Sequence, residues 1–243
     1  MKKYRKATLS GLLLLAGGLM MGCGGGGDES PVSTPDHQTV YRWQFESGDL
    51  DGWRVESSHG DVGWDVDGTF VNPSWVGDER PYVGHDDSFS LNYNFHNFLL
   101  EHREYHYDTR GARNWGTVTS PRILVADLED PRLVFSCTFE MQTEPGVDLR
   151  RVLILDAETG LLLKEVRLGM DDVAGSEEGR CHAREEWHSH DIALDPAWGT
   201  IQVQYFFDSV DGENNEGKGW FLDDIQIQAV YDELFLDFEI FLF

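Results

Sequence analysis

Apolar and polar residues alternate with a period of two along much of this chain. In 133–141, Leu133, Phe135, Cys137, Phe139 and Met141 fall on one side, while Val134, Ser136, Thr138 and Glu140 fall on the other. Ile201, Val203, Tyr205 and Phe207 share a side with Gln202 and Gln204 opposite. Ile225, Ile227, Ala229 and Tyr231 alternate with Gln226 and Gln228, and Tyr41, Trp43 and Phe45 repeat the pattern in 41–45. Successive side chains of an extended chain point to opposite faces, so this period predicts strands with one buried face. Further strands are expected at 88–94, 116–125, 151–156, 161–167 and 187–193. Turn dipeptides separate them: Asp51-Gly52, Asp67-Gly68, Pro145-Gly146, Thr159-Gly160 and Asp211-Gly212. No long stretch has the helical period and no internal repeat is present. Many short alternating strands between turns predict an all-β, antiparallel β-sandwich.

The first 39 residues have a different composition. A basic start (Lys2, Lys3, Arg5, Lys6) precedes a short apolar run from Leu12 to Met21. That run is too short to cross a bilayer as a helix and fits the apolar stretch of a secretory signal peptide. It ends in Leu19-Met20-Met21-Gly22-Cys23, which resembles the lipobox of bacterial lipoproteins. The resemblance implies cleavage after residue 22 and a diacylglycerol on Cys23, hence a membrane held through a lipid anchor. Glycines 24–27 follow at once, and 23–39 read as the acylated cysteine and a disordered linker. A domain is expected over 40–231, followed by an apolar tail or extra strand in 232–243.

The chain of 243 residues carries a net charge of −25. Four of its 19 basic residues lie in the leader, which holds no acid, so the remainder sets 15 basic against 44 acidic residues. That surface repels phosphate backbones and excludes nucleic acid as a partner. Eight Trp and fourteen Phe favour sheet packing over a helical bundle. With Cys23 acylated, Cys137 and Cys181 are left. They either form a disulfide closing a loop of about 44 residues, stabilising by about 3–4 kcal/mol, or remain separate thiols.

Three motifs together suggest a family. Phe45-Glu46-Ser47-Gly48 with Leu50-Asp51-Gly52-Trp53 is similar to the opening of jelly-roll modules in exported bacterial proteins. Tyr107-Asp108-Thr109 and Asn114-Trp115-Gly116-Thr117-Val118-Thr119-Ser120-Pro121 resemble its middle. Phe207-Asp208-Ser209-Val210-Asp211, Asn214, Asn215 and Gly219-Trp220-Phe221-Leu222-Asp223-Asp224-Ile225 resemble its closing strand. The group contains MAM-like modules and the domains appended to immune-inhibitor-A-type secreted proteases. Across 41–231 the resemblance implies a jelly roll of the concanavalin-like or galactose-binding-like kind, without catalysis and often with a structural calcium ion. Residues 78–106 depart from the compact pattern.

Candidate chemistry follows. Asp223 shares parity with Phe221, Ile225 and Ile227, which would aim it at the core, where a lone carboxylate is costly. Calcium takes six to eight oxygens, so Glu46, Asp223 and Asp224, with carbonyls of the 48–51 turn, form the expected site. Capping, or pairing with Arg or backbone amides, is the alternative. Asp208 and Asp211 form a weaker candidate, their loop lacking EF-hand spacing. His188 and His190 share a strand face that could support a transition metal, and His102 and His106 have helical spacing without HExxH. Exposed loop histidines are the simpler reading of both. Trp64, Trp75 and Trp115 are candidate ligand-stacking residues beside expected loops, against the alternative that they plug the sandwich ends. No GxSxG, phosphate-loop or dinucleotide signature occurs. The expected function is a lipid-anchored cell-envelope module, at the outer membrane, that recognises glycan or protein. A polysaccharide-acting enzyme and a purely structural envelope protein are the alternatives.

Overall fold

The computed structural model describes residues 36–68, 85, 89–95, 106–142, 147–169 and 187–230, all within the compact unit Pro35–Phe243. The leader, Cys23, Trp75, His96, His102, Cys181, His182 and the 232–243 tail lie outside the described residues. Among the described residues twelve strands follow in chain order: β1 (His37–Trp43), β2 (Arg54–Ser57), β3 (Val62–Gly68), β4 (Phe89–Phe95), β5 (Trp115–Thr119) and β6 (Ile123–Leu124), then β7 (Glu129–Glu140), β8 (Leu149–Asp156), β9 (Leu162–Leu168), β10 (His188–Ala193), β11 (Thr200–Asp208) and β12 (Gly219–Val230). One short 3-10 turn, Pro196–Trp198, precedes β11 and is capped by the Asp195 carboxylate. The first strand begins at His37.

Two antiparallel sheets face each other. One runs β10-β7-β12-β4-β3, with β1 also on β12; the other runs β2-β5-β11-β8-β9, with β6 also on β11. The all-β sandwich expected from the alternation is therefore the observed architecture. The alternating face of β7 (Leu133, Phe135, Cys137, Phe139) is fully buried, as are Val203, Tyr205 and Phe207 of β11. Rings dominate the space between the sheets. Tyr205 lies against Trp53, Phe135 and Trp220 at 5.2–5.9 Å between centroids, and Tyr93 meets Phe207 at 4.4 Å. Such pairs add about 0.5–1.5 kcal/mol each beyond their buried area. Gly116 is required at its place because a Cβ there would stand 2.6 Å from the Tyr93 ring.

β12 changes partner halfway along. Trp220–Leu222 pair with β4, and Ile225–Val230 pair with β1, while β7 runs along the other side. The switch falls at a bulge between Asp223 and Gln226, where Asp224 takes a left-handed φ of 49°. An extra residue reverses the side-chain alternation. Trp220 and Leu222 face inward before the bulge, and Ile225, Ile227 and Ala229 after it. Asp223 therefore lies beside Ser136 on the face opposite Leu222 and Ile225, where it is still buried, and not between the two sheets as unbroken parity implied. The two ends of the domain are neighbours, with His37 paired to Val230.

Candidate functional site

The second sheet turns one face away from the core. Its register aligns two rows across five strands: Glu56, Thr117, Phe206, Arg151 and Arg167, then Arg54, Thr119, Gln204, Leu153 and Glu165. At about 4.8 Å between strands, each row spans about 19 Å. Trp115 begins this face on β5, diagonal to Phe206 across β11, and is 37% exposed. The Arg151 guanidinium stands 5.6 Å from the centre of the Phe206 ring. The Gln204 amide donates to Thr119 Oγ1 at 2.8 Å, which fixes its carbonyl oxygen away from that hydroxyl. The face thus offers two aromatic rings, hydroxyls, an amide carbonyl and both signs of charge. Rings stack on the C–H faces of flat ligands, and the polar groups can exchange hydrogen bonds with hydroxyls.

Two acids on this face, Asp208 and Glu165, are engaged, while Glu56 is exposed. Asp208 is buried and accepts from Arg113 Nε at 2.8 Å and Nη2 at 2.5 Å. Glu165 accepts from Arg167 Nε at 2.9 Å and lies 3.3 Å from Arg151 Nη1. Hydrolysis of glycosides requires two carboxyl groups facing one cleft, and these two are each tied to arginine instead.

The outward face of the other sheet is closed. Ser90, Asn92 and Asn94 of β4 and Thr138 of β7 are fully buried there, and Asn92 Oδ1, both Asn94 amide atoms and Thr138 Oγ1 have no hydrogen-bond partner among the described residues. Trp115 is exposed and Phe206, Gln204 and Arg151 are half-buried on the β5–β11 face, whereas this polar row is buried. Sequence reasoning missed the row because Ser136 and Thr138 alternate as ordinary solvent-facing residues would.

The acids expected to hold calcium are dispersed. Asp223 Oδ2 accepts from the His85 amide at 2.8 Å and Oδ1 from the Asp224 amide at 2.7 Å. Asp224 lies 3.0 Å from His85 Nδ1 and 3.3 Å from Arg42 Nη2. Glu46 accepts from the Phe89 amide at 2.9 Å. The three carboxylates are not gathered with one oxygen each within 4.8 Å of one another, and amides, histidine and arginine stand around them. Asp211 accepts from the Glu213 amide while Asp208 holds Arg113, so this pair too is spent on turn and ion-pair geometry. Trp64 is 4% exposed, packed edge-on against Tyr93 and Trp220 within β3, and offers no free ring to a ligand. Trp115 alone of the described candidates is exposed. Cys137 and His190 are buried, so neither is an exposed loop residue.

No family model matches the chain, and no curated protein matches it. Among solved structures, the K3 cleaved adhesin domain of Lys-gingipain from Porphyromonas gingivalis is similar at 15% identity and a TM-score of 0.46, covering 78% of this chain and 98% of that one. The family 11 carbohydrate-binding module from Clostridium thermocellum, solved with a mixed-linked β-1,3-1,4 tetrasaccharide, is similar at 8% identity and a TM-score of 0.41, covering 82% and 99%. The Caldicellulosiruptor saccharolyticus CBM27-1 module, solved with mannohexaose, is similar at 9% identity and a TM-score of 0.40, covering 82% and 100%. These likenesses are likenesses of fold alone.

Proposed function

We propose that this chain is a lipid-anchored protein of the bacterial cell envelope whose sandwich is a non-catalytic recognition module for glycan. The observation that carries the reading is the open β5–β11 face, where exposed Trp115 and half-buried Phe206 lie among hydroxyl, amide and charged groups. Sugars present just such mixed surfaces, with apolar C–H faces ringed by hydroxyls. Two aromatic rings on a rigid sheet can stack on neighbouring residues of a polysaccharide while losing little side-chain freedom. Strand register fixes their separation, which suits an extended ligand better than a globular one. The anchor rests on the leader and on Gly22-Cys23. Two acyl chains, or one with a second attraction, are needed for stable attachment, and the acidic body supplies no basic patch for anionic lipid.

The full chain in detergent, applied to a glycan array, tests the reading. Binding to a defined polysaccharide class is expected, with Trp115→Ala about tenfold weaker at an unchanged thermal midpoint. Binding that is indifferent to both Trp115→Ala and Phe206→Ala overturns this face as the site. An empty array moves the ligand to protein.

A further inference from the structure

We propose that Cys137, His188 and His190 form a binding site for a transition metal ion of the zinc, cobalt or copper class, independent of the glycan-recognition face. Cys137 lies on β7 directly opposite His188 on β10, and His190 lies opposite Phe135. Directly paired and alternate residues share a face, so all three side chains gather on the inner side of the sheet. His188 Nε2 is 3.3 Å from Cys137 Sγ and His190 Nε2 is 3.4 Å from the same sulfur. One donor atom from each residue lies within 4.8 Å of the other two.

These separations suit a shared ion. Metal–sulfur and metal–nitrogen bonds of about 2.3 and 2.0–2.1 Å at a tetrahedral angle put sulfur and nitrogen about 3.5 Å apart. The observed spacing needs to open by only one or two tenths of an ångström. Thiolate and imidazole are the donors that select zinc, cobalt and copper over calcium or magnesium. Three donors leave at least one coordination position for a further ligand.

The surroundings hold the donors in place. His190 is 3% exposed and stacks on Phe135 with ring centres 4.8 Å apart and planes 18° from parallel. His188 meets His190 at 5.0 Å and Phe139 at 6.2 Å, both edge-on. His188 is half-buried on an edge strand, which gives an ion a way in. Cys137 is fully buried. A thiolate in that setting is costly alone and is stabilised by a bound cation.

The full chain, without an affinity tag, is solubilised in detergent, reduced, stripped with chelator and titrated with Co2+. A thiolate-to-cobalt charge-transfer absorption saturating at one equivalent and displaced by Zn2+ is expected. Cys137→Ser should abolish it. His188→Ala, at the sheet margin, should weaken cobalt binding at least ~10-fold with the near-ultraviolet dichroism intact, and this variant decides the matter if Cys137→Ser does not fold. No such absorption from the folded, reduced chain overturns the site. So does an absorption that survives Cys137→Ser, an unchanged affinity in His188→Ala, or peptide mapping that finds Cys137 bonded to Cys181 in chain extracted from its membrane.

Discussion

Asp148 makes the stability of this domain depend on pH in a direction opposite to that of most carboxylates. It is 6% exposed, at a left-handed φ of 48° before β8. Its Oδ2 accepts from the Tyr107 hydroxyl and the Gln142 amide, both at 2.6 Å, and its Oδ1 has no partner among the described residues. Burial is the largest influence and outweighs those two bonds, raising its pKa from the ordinary 3.8 to about 6. An unfolded chain releases this proton near 3.8 and the folded one near 6. Between those values the unfolded state binds fewer protons, so stability is fully present below about 3.8 and is lost as pH rises to 6. At about 1.36 kcal/mol for each tenfold change in proton affinity, the loss is about 3 kcal/mol. Asp148→Asn keeps an oxygen for both donors, tolerates the left-handed backbone and cannot ionise. Urea unfolding of both proteins at steps from pH 4 to pH 8 isolates the effect from the other acids. The variant should gain about 2.5 kcal/mol relative to the parent between those limits, whatever constant offset its new amide introduces. A difference that stays flat with pH, or that falls, refutes the reasoning.

Gly116→Ala drives a methyl group into Tyr93 and the Glu56 carbonyl and should cost about 1–3 kcal/mol, read as a lower thermal midpoint. Arg113→Ala leaves buried Asp208 with the Val210 amide but no arginine, so a lower midpoint in chemical unfolding is expected. With Asp223, Asp224 and Glu46 bonded to protein donors, Ca2+ added to chelator-stripped chain should leave the thermal midpoint unchanged, and a rise would support the calcium expectation. Cys23→Ser should release the chain from the membrane fraction and remove the acyl mass from its N-terminal peptide.

Strands with one apolar face were readable because burial itself imposes the period of two: Leu133 to Met141 and Ile201 to Phe207 lie where alternation puts them. Strands β2 and β3, which belong to different sheets, were not. Every residue of β2 is exposed, and β3 contains Gly63 and ends in Asp67-Gly68, which has the chemistry of a turn. Trp64, set among those polar residues, therefore looked like a loop residue although it is core. The bulge at Asp224 was hidden for a different reason. Parity carries across a strand only while the ladder is regular, and nothing in Asp223-Asp224 announces the extra residue. The metal cluster shows the limit most sharply. His188 and His190 advertise a shared face by their spacing, but their sulfur neighbour stands 51 and 53 positions away, joined to them only by the pairing of β7 with β10.

The pairing of His37 with Val230 gives the domain an entrance and an exit one strand apart, about 5 Å. A body wired in this way can be spliced into a loop of a larger protein, or permuted by joining its old ends, without pulling either sheet open. Whatever is fused to its tail leaves from beside its root.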